Sequence, residues 1–563
     1  MEFIMNKKTL LTPLLAIILL AASFLLVPYL VSPVYDFAEP RAFSGEKYYN
    51  PYQKVDSVWK VCNFHAHSKS WGGLTDGKNT RIDLIFELYQ KMGYSHIGIS
   101  NYQKITQIEK ENSLSIPAYE HGLNIKKRHH LCLGTDKVSW LDFFFFQTLS
   151  HKQFVLNKLK PTADFLVINH PKFSNSFEED DFTYLSNYDA IEVLNHYRTS
   201  ITHWDSALSS GYYAVLLAND DMHKLDKMDE VGANFTVINA NFLSRFDIIQ
   251  ALKAGRHYGV KARLKTDENY QTKTERIANL SHPHIVEMKG DTLDIQFDTA
   301  VSIIRFVGQG GQVKDSVFQT KTAQYIFRQT DTYIRIEMED ADGNLYLFNP
   351  VVRTEDAVVV NSSRAEVNIY KTAFKRIFVL FIIFSSIFGF YWKKRKIYTE
   401  KLRLFFQRPY RLKLLILITL SAIVRIFIAA NLELTNDEVY YRLYALYPDF
   451  SHFDHPPMVG WLIQLTTLNL LFDSEFFIRL GAILLGSFTI ILAFKIGQKI
   501  HGDRVGFISS FLFSSSPYLF LLSGTFILPD TPLLFFWILA LYLIFNILEG
   551  EITTKKTNRL LLL

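Results

Sequence analysis

The chain has 563 residues, with 60 Lys and Arg against 55 Asp and Glu and a formal net charge of +5. That length exceeds a single domain. The small basic excess sits largely beside apolar runs, so it gives no ground for a nucleic-acid partner, and the clustering of apolar residues excludes a uniformly water-soluble chain.

The first apolar run covers 9–31, behind Asn6-Lys7-Lys8. A membrane span needs about 20 such residues. The run reads as a retained anchor rather than a cleaved signal peptide, because Val27-Pro28-Tyr29-Leu30-Val31-Ser32-Pro33 offers no small-x-small cleavage site. A polar insert follows at 33–372. Further apolar runs occupy 374–392, 412–430, 477–496, 505–527 and 531–548.

Basic clusters set the expected topology. Lys7, Lys8, the run 393–396, Lys499, Arg504, Lys555 and Lys556 all fall on one side, the cytoplasmic one. Residues 33–372, 431–475 and the segment around Pro529-Asp530 then face outward. The expectation is an integral protein of the plasma or inner membrane, with 33–372 on the periplasmic or extracellular side. The expected domains are an anchor at 1–32, an exported domain at 55–265, a β module at 280–355, a span at 373–393 and a membrane domain at 410–563. The final Arg559-Leu560-Leu561-Leu562-Leu563 looks like the start of another apolar run, so the membrane domain reads as truncated.

Between 60 and 223, short apolar runs repeatedly end in metal-type ligands. Val61-Cys62-Asn63-Phe64 leads to His65-Ala66-His67. Later runs end at His130, at His170 and at Asp221-Met222-His223. Strand-like runs alternate with helical ones such as Arg81-Ile82-Asp83-Leu84-Ile85, which argues for parallel α/β architecture. Ligands at strand C-termini favour a barrel. Cys62 and Cys132 are the only cysteines; a disulfide would suit an oxidising compartment, and two buried thiols are the preferred reading. His96, His121, His129, His151, His196 and His203 lack motif support and read as surface or core residues.

These motifs resemble PHP (polymerase and histidinol phosphatase) domains over roughly 60–260. His65-x-His67-Ser68 followed by Asp76-Gly77 looks like the opening motif, and Glu120 like the third-motif carboxylate. His130, His170 and Asp221-x-His223 match the later ligands, while Glu192 and Asn195 echo a further strand. The resemblance implies a distorted (β/α)7 barrel with a metal-dependent phosphoesterase site. It implies His65, His67, Glu120 and Asp221 around one metal, and Glu120, His130 and His170 around another. Asp76 is a further ligand candidate. Zn, Mn or Fe suits such donors, and Asp221 or His223 would move a proton. Where the family's second motif ends in Asp-His, this chain has Asn101-Tyr102, which puts a third metal site in doubt.

Residues 280–355 show short alternating runs split by glycines, the pattern of a small antiparallel sandwich. No catalytic constellation is visible there.

The membrane half carries acids at the expected outer boundary: Asp437-Glu438 in Asn436-Asp437-Glu438-Val439-Tyr440-Tyr441, then Asp454-His455-Pro456-Pro457, then Leu528-Pro529-Asp530-Thr531-Pro532. Carboxylates beside long apolar spans mark functional sites. Their order resembles the N-terminal part of GT-C glycosyltransferases of the protein O-mannosyltransferase and aminoarabinose transferase type, over about 412–548. The resemblance implies a polyprenyl-phosphate-linked sugar donor and an envelope glycan, lipid or protein acceptor. It implies Asp437 as general base, Glu438 as an assistant or metal holder, Asp454 and His455 near the lipid phosphate, and Asp530 completing the acidic site, where a divalent metal could also sit. Two function classes follow: a transferase fused to an exported phosphoesterase, or a transferase whose PHP-like domain only binds a phosphate or glycan.

Overall fold

The computed structural model describes residues 25–53, 55, 58–73, 75–77, 80–106, 116–241, 244–406 and 409–548, excluding the side chains of Thr75, Asp76 and part of 383–406. The chain divides into two compact units, one up to Phe374 and one from Lys375.

The first unit is rich in sheet. Its strands are β1 (Tyr35–Phe37), β2 (Lys47–Tyr49), β3 (Trp59–Asn63), β4 (Lys69–Ser70), β5 (Thr75–Asp76), β6 (His96–Ile97), β7 (Ala118–His121), β8 (His130–Leu133), β9 (Phe165–Ile168) and β10 (Ala190–Leu194). They continue as β11 (Val215–Ala218), β12 (Asn234–Asn239), β13 (His257–Lys261), β14 (Pro283–Lys289), β15 (Thr292–Gly308), β16 (Gln312–Ile326), β17 (Tyr333–Glu339), β18 (Leu345–Phe348), β19 (Val351–Thr354) and β20 (Ala365–Val367).

One sheet runs β11-β10-β9-β8-β7. The strands β9, β10 and β11 pair in parallel, whereas β8 is antiparallel to both β7 and β9. Every residue of β9, Phe165-Leu166-Val167-Ile168, is buried, as expected of strands covered on both faces. Beyond its ends lie two bridges to a second sheet: Tyr102 pairs with Glu120, and Ala66 with Met222. Their backbone bonds include Gln103 N to Glu120 O at 2.9 Å, His67 N to Met222 O at 2.8 Å and Asp221 N to His65 O at 3.0 Å.

The second sheet is long. It runs β14-β15-β17-β18-β13-β12-β3-β6, with β16 on β15. The strands of 280–355 therefore do not form a separate sandwich. The β18 strand zips onto β13, opposing Tyr258 to Phe348 and Val260 to Tyr346. One apolar core spans both parts, from Val61, Ile97 and Val237 through Tyr258 to Phe297, Ile336 and Phe348.

The helix Ile82–Lys91 shows how sequence sets the local structure. Ile85 and Tyr89, four residues apart, bury one face. Gly93, at φ 96°, follows the last turn, where a left-handed residue ends a helix cheaply. Cys62 and Cys132 are buried free thiols.

In the second unit, Pro409–Asn431 and Glu475–Ser515 are long and apolar enough to cross a membrane, and Met458–Thr467 and Asp530–Asn546 are shorter apolar helices. The run 374–392 lies within the helix Ile369–Phe406. Of the run 9–31, only 25–31 are described, and they are helical. The runs 477–496 and 505–527 fall differently from expectation. Both begin inside Glu475–Ser515, which breaks at His501-Gly502, and the second stops at Ser515. Pro517 explains the stop, since it lacks the N–H a continuing helix needs.

Candidate metal centre and acidic site

In the first unit, strand ends bring imidazoles and carboxylates together. His65 and His67 follow β3, Glu120 lies in β7, His129 precedes β8, His170 follows β9, and Asp221 and His223 follow β11. Three groups each place their ligand atoms within 4.8 Å of one another: His65, His67 and Glu120; Glu120, His129 and His170; and His67, Asp221 and His223.

The distances are short throughout. His65 Nε2 lies 3.3 Å from both Glu120 Oε1 and Asp221 Oδ1. His67 Nε2 is 3.1 Å from Asp221 Oδ1 and 3.2 Å from His65 Nε2. His129 Nδ1 and His170 Nε2 reach Glu120 Oε1 at 3.1 and 3.3 Å. Two of these residues adopt backbone that L-residues avoid: φ is 28° at His170 and 52° at Asp221. Such residues cost about 1–3 kcal/mol each and cluster at functional sites.

His129, not His130, faces this centre, which corrects the sequence expectation. Strand parity is the reason. The β7–β8 register opposes Glu120 to Leu131 and His121 to His130. Alternate residues share a face, so Leu131 and His129 lie on the Glu120 side, while His130 lies with His121. Indeed His130 Nδ1 is 3.4 Å from His121 Nδ1, and its ring meets Phe177. The tandem histidines give the signal, but sequence alone leaves the register open by one.

Sequence reasoning picked out Glu192 and Asn195 by resemblance but gave them no role, and it missed Asn169 and Asn219, which complete a supporting shell. Glu192 Oε1 lies 2.9 Å from His65 Nδ1 and accepts from Asn219 Nδ2 at 3.0 Å. Its Oε2 accepts from Asn195 Nδ2 and the His170 N–H. This carboxylate fixes the His65 tautomer and leaves Nε2 turned to the centre, as outer-shell partners of metal-bound histidines do. Asn169 Nδ2 donates to Glu120 Oε1 at 2.9 Å. The signal was an amide or acid at each strand end, which is too common to single out.

The electrostatics suit a cation. Glu120, Glu192 and Asp221 are buried, and among the described residues their ion-pair partners are histidines. Burial pushes the Glu120 carboxyl up, but His129 and His65 outweigh it and hold it well below the usual range. Asp221 is likewise held low against burial, by His65 and then His67. Burial keeps His129 and His223 below the ordinary imidazole value, whereas burial is outweighed at His65 by the charges of Asp221 and Glu120, and at His170 by the hydrogen bond to Glu120, so both rings are raised. Ionised carboxylates and neutral imidazoles are the forms that ligate metals, so a metal bound here would displace protons from His65 and His170. Glu120 Oε2 is buried without a hydrogen-bond partner among the described residues. The donor set therefore fits one or more divalent metals.

Asn101 and Tyr102 take structural and lining roles. Asn101 Oδ1 accepts from Ser68 N at 2.8 Å, and its amide donates to Ser68 and Thr106. Tyr102 lies against His67 and His129, with ring centroids 4.9 and 5.0 Å away. The Asp76 side chain lies outside the described residues.

The second unit has its own acidic site. Asp437 sits exposed in the first turn of the helix Asn436–Leu446. Asp454 accepts from Tyr440 and Tyr444, and Asp530 accepts from Tyr518 at 2.5 Å. Burial raises the Tyr441 phenol, and the charges of Asp437, Asp454 and Asp530 raise it further. The His455 ring lies 5.5 Å from that of Tyr441.

Glu438 does not join them. Both its oxygens are taken, by Arg479 Nε at 2.8 Å, Arg479 Nη2 at 2.6 Å, Ile527 N at 3.1 Å and Thr435 N at 2.9 Å. Glu438 and Thr435 also form a capping box. The expected assisting or metal-holding role is therefore replaced by a structural one: the side chain pins a helix start to two neighbouring segments.

No curated protein matches the chain. A solved two-domain structure from Bacteroides vulgatus, described as containing a predicted PHP-like metal-dependent phosphoesterase, aligns with 55% of this chain and 99% of its own length, at 15% identity and a TM-score of 0.29. Residues 454–562 match the family model of dolichyl-phosphate-mannose-protein mannosyltransferases.

Proposed function

We propose that the chain joins a membrane glycosyltransferase, acting on a polyprenyl-phosphate-linked sugar, to an exported metal-dependent phosphoesterase. The match of 454–562 to the mannosyltransferase family supports the first part. The ring β3-β6-β7-β8-β9-β10-β11, with its two bridging pairs, supports reading the first unit as a distorted seven-stranded barrel whose ligands lie at strand ends.

The observation that carries the phosphoesterase reading is Glu120, buried at the meeting point of two histidine groups. His65, His67, Glu120, His129, His170, Asp221 and His223 would hold the metals. When bound, divalent metals supply Lewis-acid polarisation of a phosphoryl oxygen and an acidified water. The chain's own residues do the rest. Glu192 orients His65 and Asn169 orients Glu120, while the bond from His223 Nδ1 to Asp221 O at 2.9 Å leaves its Nε2 either to hold a metal or to move a proton at the leaving oxygen, not both at once. Tyr102 favours a second reading, a domain that binds phosphate without turnover, because a phenol stands where the family has an imidazole.

In the transferase, Asp437 would take the acceptor's hydroxyl proton. Asp454 and His455 would lie near the donor phosphate, and Asp530 would complete the acidic site. The outward placement of 33–372 follows from the basic clusters and belongs to the same proposal.

The test is metal analysis of the purified full chain, with phosphomonoesterase and phosphodiesterase assays before and after adding Mn or Zn. Bound metal with turnover, lost in Glu120→Gln, supports hydrolysis. Metal without turnover supports the binding-only reading. A metal-free protein indifferent to Mn and Zn would sink the phosphoesterase reading.

A further inference from the structure

An apolar surface in the first unit lies next to the segment that leads out of the first apolar run. Leu123, Ile125, Phe145 and Phe146 are 54, 60, 44 and 60% exposed. Scattered exposed apolar residues need no explanation, but these four converge. Ile125 N donates to Phe144 O at 3.0 Å, and Leu123 N to Asp142 at 2.7 Å. The backbone N–H groups of Phe145 and Phe146 both donate to the Tyr29 hydroxyl at 3.0 Å. The Tyr29 ring sits 4.8 Å from that of Phe146.

Tyr29 belongs to the helical segment 25–31, the end of the apolar run 9–31. The second tether leaves the unit at the same edge. The β1–β20 ladder opposes Tyr35 to Val367. Asn368 N donates to Val34 O at 2.9 Å, and Val34 N to Thr372 Oγ1 at 2.9 Å. The helix Ile369–Phe406, which carries the run 374–392, therefore starts beside residue 34. Exposed Lys126 and Lys127 border the patch. Apolar and aromatic side chains mixed with lysines, next to a tyrosine at the end of an apolar run, are the composition of a membrane interface.

We propose that the first unit docks on the outer leaflet of the bilayer through Leu123, Ile125, Phe145 and Phe146, with Lys126 and Lys127 on anionic head groups. This rests on reading 9–31 and 374–392 as membrane-embedded, and is independent of the metal reading. Leu123 and Ile125 lie on the connection from β7 to β8, and Glu120 and His129 flank that connection. Three residues, 126–128, lie between Ile125 and His129, which puts the two at most about 14 Å apart along the chain. Docking therefore holds the histidine centre close to the head groups, within reach of a phosphoester carried by a lipid.

The test uses the full chain reconstituted in phosphatidylcholine vesicles containing phosphatidylglycerol. An environment-sensitive fluorophore is attached in three separate variants: Ile125→Cys, Phe246→Cys (70% exposed, away from the patch) and Phe381→Cys within the apolar run 374–392. Cys62 and Cys132 are fully buried and stay unlabelled. The probe at position 125 shifts to the blue and is quenched by lipids spin-labelled about 5–10 Å below the head groups, while the probe at position 246 is not. Quenching at position 125 falls when phosphatidylglycerol is omitted or in Lys126→Glu/Lys127→Glu. Quenching at position 381 with a water-like probe at 125 overturns the docking. Absence of quenching at position 381 overturns the embedding on which it rests. Shielding at position 125 that depends on protein density rather than on the quencher assigns the patch to a second copy and also overturns the proposal.

Discussion

Arg479 and Glu438 meet as a bidentate pair at 2.8 and 2.6 Å, with both side chains fully buried. Arg479 also donates to the carbonyls of Leu432 and Glu433 at 2.6 and 2.7 Å. Removing one partner leaves a buried, uncompensated charge, which costs about 3–5 kcal/mol. Arg479→Met should therefore lower the melting temperature of the detergent-solubilised chain strongly. Asp437→Asn, at an exposed position, should leave melting unchanged and reduce sugar transfer. Equal melting of the two variants would refute the separation of roles.

The same pair predicts a pH effect. Burial raises the Glu438 carboxyl, but the hydrogen bonds from Arg479 outweigh it and bring it below the ordinary value of 4.5. A carboxyl lowered on folding stabilises the fold above its unfolded pKa, and that stability is lost as pH falls through the folded one. Thermal stability of the second unit should thus fall on acidification below about pH 4.5. In Glu438→Gln that component should be missing, as parallel melting series would show.

His129 and His130 are adjacent, yet only His129 faces Glu120. His129→Ala should lower bound metal and, because its site is equally buried, stability as well. His130→Ala should keep the metal and lose stability, since it vacates a buried site beside Phe177 and His121. Elemental analysis separates the two. Metal loss on His130→Ala alone would overturn the register argument.

What was legible in the sequence follows from locality. Ligands at the ends of apolar runs could be read because strand, end and ligand lie within a few residues. The Asp437, Asp454 and Asp530 motifs could be read for the same reason. Properties set by distant pairing could not. The choice of His129 over His130 depends on the register of β8 against β7. The commitment of Glu438 depends on Arg479, 41 residues away. The strands of 280–355 looked self-contained because alternation marks a strand but not its neighbour, and β18 pairs with β13 across a long stretch of intervening chain.

Glu192 reaches the centre only through His65. Glu192→Gln should keep an acceptor for His65 Nδ1–H but lose the charge that raises the basicity of that ring. Changes of this kind typically cost about 10–100-fold in metal affinity. Competition with a chelator should show that loss, and the metal-free protein should also melt lower, because the Gln amide turns an NH2 toward donors that now bond a carboxylate oxygen. A metal affinity equal to that of the unaltered chain would show that Glu192 serves packing alone.

The long sheet makes the first unit indivisible. Arg335 of β17 donates to both oxygens of Asp205 at 2.8 and 2.9 Å, and its guanidinium stacks over Trp204 at 5.1 Å. Asp205 and Trp204 belong to the helix Ile201–Ser209, so the strands after 280 are bolted to the part that carries the histidines. Ending the chain at 280 would strip β18 from β13 and expose Tyr258 and Val260 of the shared core. A piece covering 33–280 should therefore be protease-sensitive and lack a cooperative melt, whereas 33–372 should melt cooperatively. Asp205→Ala within 33–372 should cost about 3–5 kcal/mol. A stable, metal-binding 33–280 would refute the single-core description.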